Sequence, residues 1–509
     1  MMIQAVHMFQ RRISLVYGFA PFGYDGSLYQ VEVDLRRGIP AVDMVGLADS
    51  AVKEARERTR AAIANSGFEF PPERVLISLS PCDLRKDGVQ ADLAIAAGIL
   101  KAKEGWEFDD ILFMGELTLS GEVKPVRGVE QALQVARANG VNRAIVCSDI
   151  ENTMVLPGMA VVYIHHLKDI RACINAVMNG DCDFSSYPKE CGGEIKFFHG
   201  IKELDDIKDM GKYKLAAATA IAGRHNLLFV GGPGCGKTSL LQAARCLVPE
   251  LLNDEVQQVR RVYSLAGMPM GVTDRTRPFR TPHQTASIEG MCGGGVRCSP
   301  GEITLANKGI LFLDEAAEFR SSVLQMLRVP VESGQITLCR AGRSTVYPAD
   351  FQLWLATQPC PCGNFLSKDK MCLCSEHSIE QYWMKFSAPL LDKIAVRMFV
   401  GEQDAGQNYS ARELRGMIKR AWKAQLSRGK WNNLLVPEEV MFNEQAAEIL
   451  RKWLEEHPDL SYRRVANIKR VARTVQDMQE QESVVVDESS VSMALSMTNI
   501  AGTELIAQL

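Results

Sequence analysis

Eight residues constrain this chain more than any others: Gly231-Gly232-Pro233-Gly234-Cys235-Gly236-Lys237-Thr238. They follow the apolar run Asn226 to Val230 and precede the helix-forming run Ser239 to Arg245, so the spacing predicts a strand, a tight loop and a helix in succession. Glycines let backbone N–H groups turn inward on a polyphosphate, and a helix N-terminus adds a positive dipole end. Lys237 can reach the β- and γ-phosphates, and Thr238 can hold Mg²⁺. Gly231, Gly232, Pro233, Gly234, Cys235, Gly236, Lys237, Thr238 and Ser239 are therefore the expected contacts of a nucleoside triphosphate.

Downstream, Gly309-Ile310-Leu311-Phe312-Leu313-Asp314-Glu315 is a continuous apolar run ending in two carboxylates. Such a run reads as a buried parallel strand presenting acids at its carboxyl edge. Asp314 would hold Mg²⁺ through water and Glu315 would polarise the attacking water. A second carboxylate beside the metal ligand favours hydrolysis over nucleotide storage.

At 509 residues with 46% hydrophobic content the chain can build two or three substantial cores. Fifty-eight Lys and Arg against 61 Asp and Glu leave a net charge of −3, so any nucleic-acid contact must come from a local basic patch. No apolar stretch approaches the ~20 residues a membrane-spanning helix needs. The first twelve residues lack the apolar core of a secretion signal, so a cytoplasmic protein is expected, with its 14 cysteines as free thiols or metal ligands.

Residues 13 to about 178 alternate strand-like and helix-like stretches. Examples are the alternating Tyr29 to Leu35, the amphipathic Asp49 to Asn65, and the helix Val129 to Ala138. We divide the chain into an α/β domain over 1–180, a polar linker over 181–204, a nucleotide domain over 205–402 and a helical lid over 403–509. The lid is marked by helical periodicity in Ala411 to Arg428, Asn443 to His457 and Tyr462 to Glu482.

Within the nucleotide domain, Arg277 to His283 and the glycine triplet Gly293 to Gly295, followed by Arg297, suit either a loop that approaches a polyanion or an ordinary surface loop. Gln335 to Tyr347 reads as a hairpin turning at Ala341-Gly342, with Arg340 and Arg343 beside its tip. Its position favours a basic finger over merely solubilising charge. Cys360, Cys362, Cys372 and Cys374 could close a zinc site, although paired zinc cysteines usually stand two or more residues apart; the alternative is reduced thiols in a structured loop.

Together these segments resemble the ComM/YifB family of magnesium-chelatase-like AAA+ ATPases, over nearly the whole chain. The resemblance is carried by Val45 to Glu54, Asp83 to Lys86, Arg277 to His283, Ser299 to Ile303, Tyr347 to Ala349, Pro359 to Gly363 and Pro389 to Asp392. It implies ATP and Mg²⁺ as cofactors and a ring, read as a hexamer, in which Arg280, His283, Arg297, Arg340 and Arg343 face DNA, single-stranded or branched. It also implies that Arg463, in Ser461-Tyr462-Arg463, senses the γ-phosphate. Two positions depart from the family: Gln358 replaces an Asn that orients the attacking water, and Lys393 replaces an arginine that crosses into a neighbour's site. Lysine keeps the charge without the planar fork, so slow hydrolysis is expected.

The N-terminal domain resembles the Lon protease fold through Met114 to Gly121 and Pro125 to Gly128. Gln90 and Ala132 occupy the positions of its serine nucleophile and lysine base, which implies an assembly or DNA-binding domain without peptidase activity. Three functions follow: an ATP-driven helicase or branch-migration motor on DNA, a chelatase-type motor remodelling a metal-insertion partner, or a slow nucleotide-gated DNA-binding scaffold. The first is favoured.

Overall fold

The structure, a computed structural model, describes residues 12–45, 49–81, 88–147, 158–180, 195–197, 200, 202–268, 270, 274–295, 298–340, 343–365, 367, 370–401, 408–479 and 483–498. The Asp83 to Lys86 stretch, Arg297, most of the expected linker and the first eleven residues lie outside them.

The N-terminal strands are β1 (Arg12–Ala20), β2 (Ser27–Arg36), β3 (Val42–Val45), β4 (Arg74–Ser80), β5 (Ile111–Met114), the short pair β6 (Glu116–Leu117) and β7 (Val123–Lys124), β8 (Arg143–Val146) and β9 (Ala160–Tyr163). Seven of them form a mixed sheet ordered β3-β4-β2-β1-β5-β8-β9. Alternation along β2 is the reason it is half-covered: Val31 and Val33 are buried while Glu32 is exposed. Helix Gly88–Glu104 crosses that covered face with an almost continuous apolar surface from Ala91 to Leu100. The expected turn at Ser120-Gly121 joins β6 to β7.

The second domain holds β10 (Leu227–Gly231), β11 (Phe279–Arg280), the short pair β12 (Gly293–Gly294) and β13 (Ser299–Pro300), β14 (Ile310–Leu313), the hairpin β15 (Gln335–Arg340) and β16 (Arg343–Pro348), β17 (Gln352–Thr357) and β18 (Val396–Val400). Its parallel sheet runs β11-β14-β17-β10-β18. The apolar runs are continuous because both faces are covered. Leu227, Phe229, Phe312, Trp354 and Ala356 enter one core, and Leu228, Val230, Leu311, Leu313, Leu353 and Leu355 enter the other. Each large side chain so buried contributes roughly 1.5–3 kcal/mol.

The C-terminal helices pack on the outside of helix Gly211–Gly223. Trp422 Nε1 donates to Ile221 O at 3.4 Å, Gln425 Nε2 to Ala222 O at 2.8 Å, and Thr474 Oγ1 lies 2.8 Å from His225 Nε2. Burial pushes His225 down to about 3, so the ring is neutral. Helices Ala411–Arg428 and Tyr462–Met478 dominate this region, and Glu488–Thr498, which sequence periodicity did not mark, closes it against β18. Among the described residues no helix is long and apolar enough to cross a membrane.

The two α/β domains meet at Tyr24. Arg261 lies over its ring at 3.9 Å and donates to its carbonyl, Tyr24 N donates to Thr345 Oγ1 at 2.9 Å, and its ring meets Tyr347 edge-on at 5.8 Å. The base of hairpin β15–β16 is thereby tied to the N-terminal domain.

Candidate functional site

Parallel pairing brings the functional loops to one edge. Leu228 stands level with Leu355, and Leu355 level with Leu313. The chain therefore leaves β10 into the glycine loop, β17 into Gln358 and β14 into Asp314 side by side. Gly234 (φ 77°) and Gly236 (φ 86°) turn the loop through left-handed backbone that only glycine enters without strain, and helix Lys237–Ala243 follows.

Lys237 folds back over this loop, its ammonium donating to Gly231 O at 2.7 Å and Gly232 O at 2.9 Å and lying 3.5 Å from Cys235 Sγ. Thr238 Oγ1 donates to Asp314 Oδ1 at 2.9 Å, although 76 residues separate them. A hydroxyl and a carboxylate converging at this range are the hard oxygen ligands that Mg²⁺ takes beside a polyphosphate. Glu315 follows with φ 48°, an uncommon conformation for a residue with a Cβ, and its side chain is exposed to solvent. Backbone held in such a region costs of order 1–3 kcal/mol and is concentrated at working sites.

Lys393 and Arg463 are elsewhere. Leu227 pairs with Val396 and Gly231 with Val400, so Lys393 precedes the starting ends of the strands while the phosphate loop leaves their finishing ends. Four residue steps of β10 alone separate the two edges by about 13 Å. Lys393 Nζ (2.8 Å) and Arg463 Nη2 (3.2 Å) share Glu332 Oε1, whose carboxyl is held below its ordinary range first by the hydrogen bond from Lys393. They line a cavity of about 570 Å³ with Asn226, Asp392 and Arg470. Arg463, expected to sense the γ-phosphate, thus lies in this chain at the edge opposite the phosphate loop. Nothing in the sequence around Glu332 marks it as the residue that gathers these two cations.

The residues expected to face DNA separate into three groups. Arg280 is the second residue of β11 and is bound in fork geometry by Glu302, with both N···O distances 2.7 Å, so it holds the sheet edge and is not a free basic contact. Its neighbour Arg277 is equally committed: Glu255 holds it at 2.6 Å, and Arg277 and Arg224 together overcome the effect of burial and keep Glu255 well below the carboxylate range. His283 is exposed, with Nδ1 2.9 Å from Thr285 Oγ1. Arg340 and Arg343 form the last pair of the β15–β16 ladder, at the turn end of the hairpin, whose expected turn at Ala341-Gly342 lies outside the described residues.

The four cysteines converge. Cys360 Sγ lies 3.4 Å from Cys362 Sγ and 3.7 Å from Cys372 Sγ, Cys362 lies 3.6 Å from Cys372, and all four thiols including Cys374 fall within 4.8 Å of one another without a disulfide. Cys362 is pushed down to about 6, chiefly by the N–H of Asn364.

In the N-terminal domain Gln90 and Ala132 are both buried, and neither can serve as nucleophile or base.

Family models cover most of the chain: magnesium chelatase, subunit ChlI over residues 203–408, subunit ChlI of Mg-chelatase over 31–150, and the subunit ChlI C-terminal region over 408–498. The chain is 33% identical over 490 residues to competence protein ComM of Haemophilus influenzae, covering 93% of this chain and 95% of that protein. It is also 33% identical over 494 residues to YifB of Escherichia coli, covering 93% and 94%. The chain belongs to the ComM/YifB family of magnesium-chelatase-like AAA+ ATPases. An uncharacterized protein of Mycobacterium tuberculosis is a further relative of this ComM/YifB chain, 33% identical over 504 residues (95% and 98%). Lon protease 2 of Bacillus subtilis is 24% identical over 178 residues, 31% of this chain and 32% of that protein. The family implies nucleotide and Mg²⁺, and Lys237, Thr238 and Asp314 are the residues that would hold them.

Proposed function

We propose that this ComM/YifB ATPase is a homo-oligomeric ring, read as a hexamer, that hydrolyses ATP to move on DNA as a helicase or branch-migration motor in recombination or natural transformation. The observation that carries the reading is the division of the nucleotide machinery between two edges of one sheet. The phosphate loop, Asp314, Glu315 and Gln358 occupy one edge, and Lys393 and Arg463 the other. Head-to-tail contact of copies joins unlike edges and closes a ring when the rotation allows.

DNA as the track is supported by the hairpin β15–β16. It carries Arg340 and Arg343 at its end and is anchored at its base to the N-terminal domain, so force on the finger has a rigid support. The name of the Haemophilus relative, a competence protein, agrees. The four cysteines are read as zinc ligands, and the protein as cytoplasmic.

The deciding experiment is a gel shift on single-stranded and branched DNA across a salt series, paired with ATPase rates on the same DNA. The motor requires DNA-stimulated turnover, which Lys237→Ala abolishes and Glu315→Gln arrests with ATP bound. Binding without turnover would identify a nucleotide-gated scaffold. Absence of binding to any DNA would turn the reading toward a chelatase-type motor that remodels a metal-insertion partner.

A further inference from the structure

The loop that carries the four cysteines begins two residues after Gln358, at the finishing end of β17, and returns at Cys374 to enter helix Glu376–Met384. Four thiolates around a zinc ion at ~2.3 Å stand ~3.8 Å apart along each tetrahedral edge. Three of the pairs, at 3.4, 3.6 and 3.7 Å, already approach that spacing. Backbone donors support the sulfurs as they do in thiolate sites: Phe365 N lies 3.3 Å from Cys360 Sγ, and the N–H groups of Asn364 and Leu373 reach Cys362. One intervening residue suffices within the first pair because the turn at Cys360 to Gly363 brings both strand-exit thiols toward one point.

The same turn touches the nucleotide site. Gly363 has φ 77°, and a Cβ placed on it would come 2.7 Å from Pro233 Cδ and 2.8 Å from Gln358 Oε1. From the other side, a Cβ on Gly232 would meet Gly363 O at 3.4 Å. The cysteine loop is therefore seated directly on the phosphate loop and on the amide expected to orient water. Met371 and Leu373 are 82% and 85% exposed, and apolar packing of the described loop residues comes from the half-buried Phe365, Cys372 and Cys374.

We infer that Cys360, Cys362, Cys372 and Cys374 form a closed structural zinc site whose metal clamps Gly363 against Pro233 and Gln358, making nucleotide affinity depend on metal occupancy. The inference rests on the zinc reading above and adds a coupling between metal and triphosphate. A closed four-thiolate site leaves no open position for water, so the ion acts on nucleotide only by fixing the loop that cradles it. Loss of the ion frees the turn and with it one wall of the phosphate loop.

The test measures metal content and the Kd of a fluorescent ATP analogue on the full chain, in three forms: as purified, after chelation, and after zinc is returned. A Gly363→Ala variant is measured alongside, because it keeps all four thiols while pressing a methyl group on Pro233 and Gln358. Circular dichroism on the chelated protein guards against general unfolding. The expected result is one zinc per chain, a loss of affinity of about tenfold or more on chelation with native secondary structure, recovery with zinc, and weakened nucleotide binding in Gly363→Ala at full metal content. One zinc per chain with unchanged affinity after its removal would overturn the clamp and leave the zinc reading standing. Absence of zinc from protein made in zinc-supplemented medium would overturn both.

Discussion

In the proposed ring, Lys393 takes the place of an arginine that would offer two parallel N–H donors to a neighbour's γ-phosphate, and its single ammonium already holds Glu332 at 2.8 Å. Charge is retained and geometry is lost, because an ammonium is a compact point donor without a planar fork. An arginine delivered to a neighbouring phosphoryl group accelerates transfer by ~10³-fold or more. Lys393→Arg is therefore expected to raise kcat by at least about tenfold with little change in KM, since the gain belongs to the transition state. Steady-state ATPase rates of the two proteins decide it, and equal kcat values would mean that residue 393 does not set the rate. Gln358 and Glu315 are the other residues at which the proposed reading places control of hydrolysis. Both sit on backbone leaving the carboxyl edge of the sheet, where small displacements change the placement of water.

Between elements, the contact of helix Val129–Ala138 with helix Asn253–Leu265 contains an ionisable group with an inverted preference. Burial pushes Glu130 up to about 7, with Arg260 only partly opposing it, and Glu130 Oε2 has no hydrogen-bond partner among the described residues. The folded carboxyl therefore keeps its proton from pH 4.5 to about 7, while the unfolded one has already released it. Rising pH through that window favours the unfolded chain, and the loss is complete above pH 7. Glu130→Gln should match wild type near pH 4.5 and be more stable at pH 8, by at most about 3 kcal/mol. Thermal melts across this range check it; a constant difference at every pH would show that the effect is packing and not ionisation. The same junction ties Tyr24 to Thr345 and Tyr347, so its stability bears on how firmly the basic hairpin is held.

For the whole molecule, the separation of Lys237 from Lys393 and Arg463 predicts complementation between chains. Lys237→Ala and Lys393→Ala proteins should each be inactive alone. In an equimolar mixed assembly about one interface in four joins an intact phosphate loop to an intact Lys393. Turnover should therefore reappear on mixing, to roughly a quarter of the wild-type rate if interfaces act independently. If the mixture stays silent while light scattering confirms co-assembly, the opposite edge is not catalytic.

What could be read from residue order was local chemistry with a fixed spacing. The phosphate loop, the acidic strand, the hairpin register and helices such as Asp49–Asn65, Val129–Ala138 and Ala411–Arg428 are written in short-range periodicity and glycine placement. The cysteine pairs were visible, but their convergence was not, because it depends on how the strand exit turns at Gly363. Folding in three dimensions alone decided that Arg280 is consumed by Glu302 and that Glu332 gathers Lys393 and Arg463. The physical reason is that these are encounters across parallel strands and between packed layers. Sheet order and strand direction set those distances, and one-dimensional spacing carries neither.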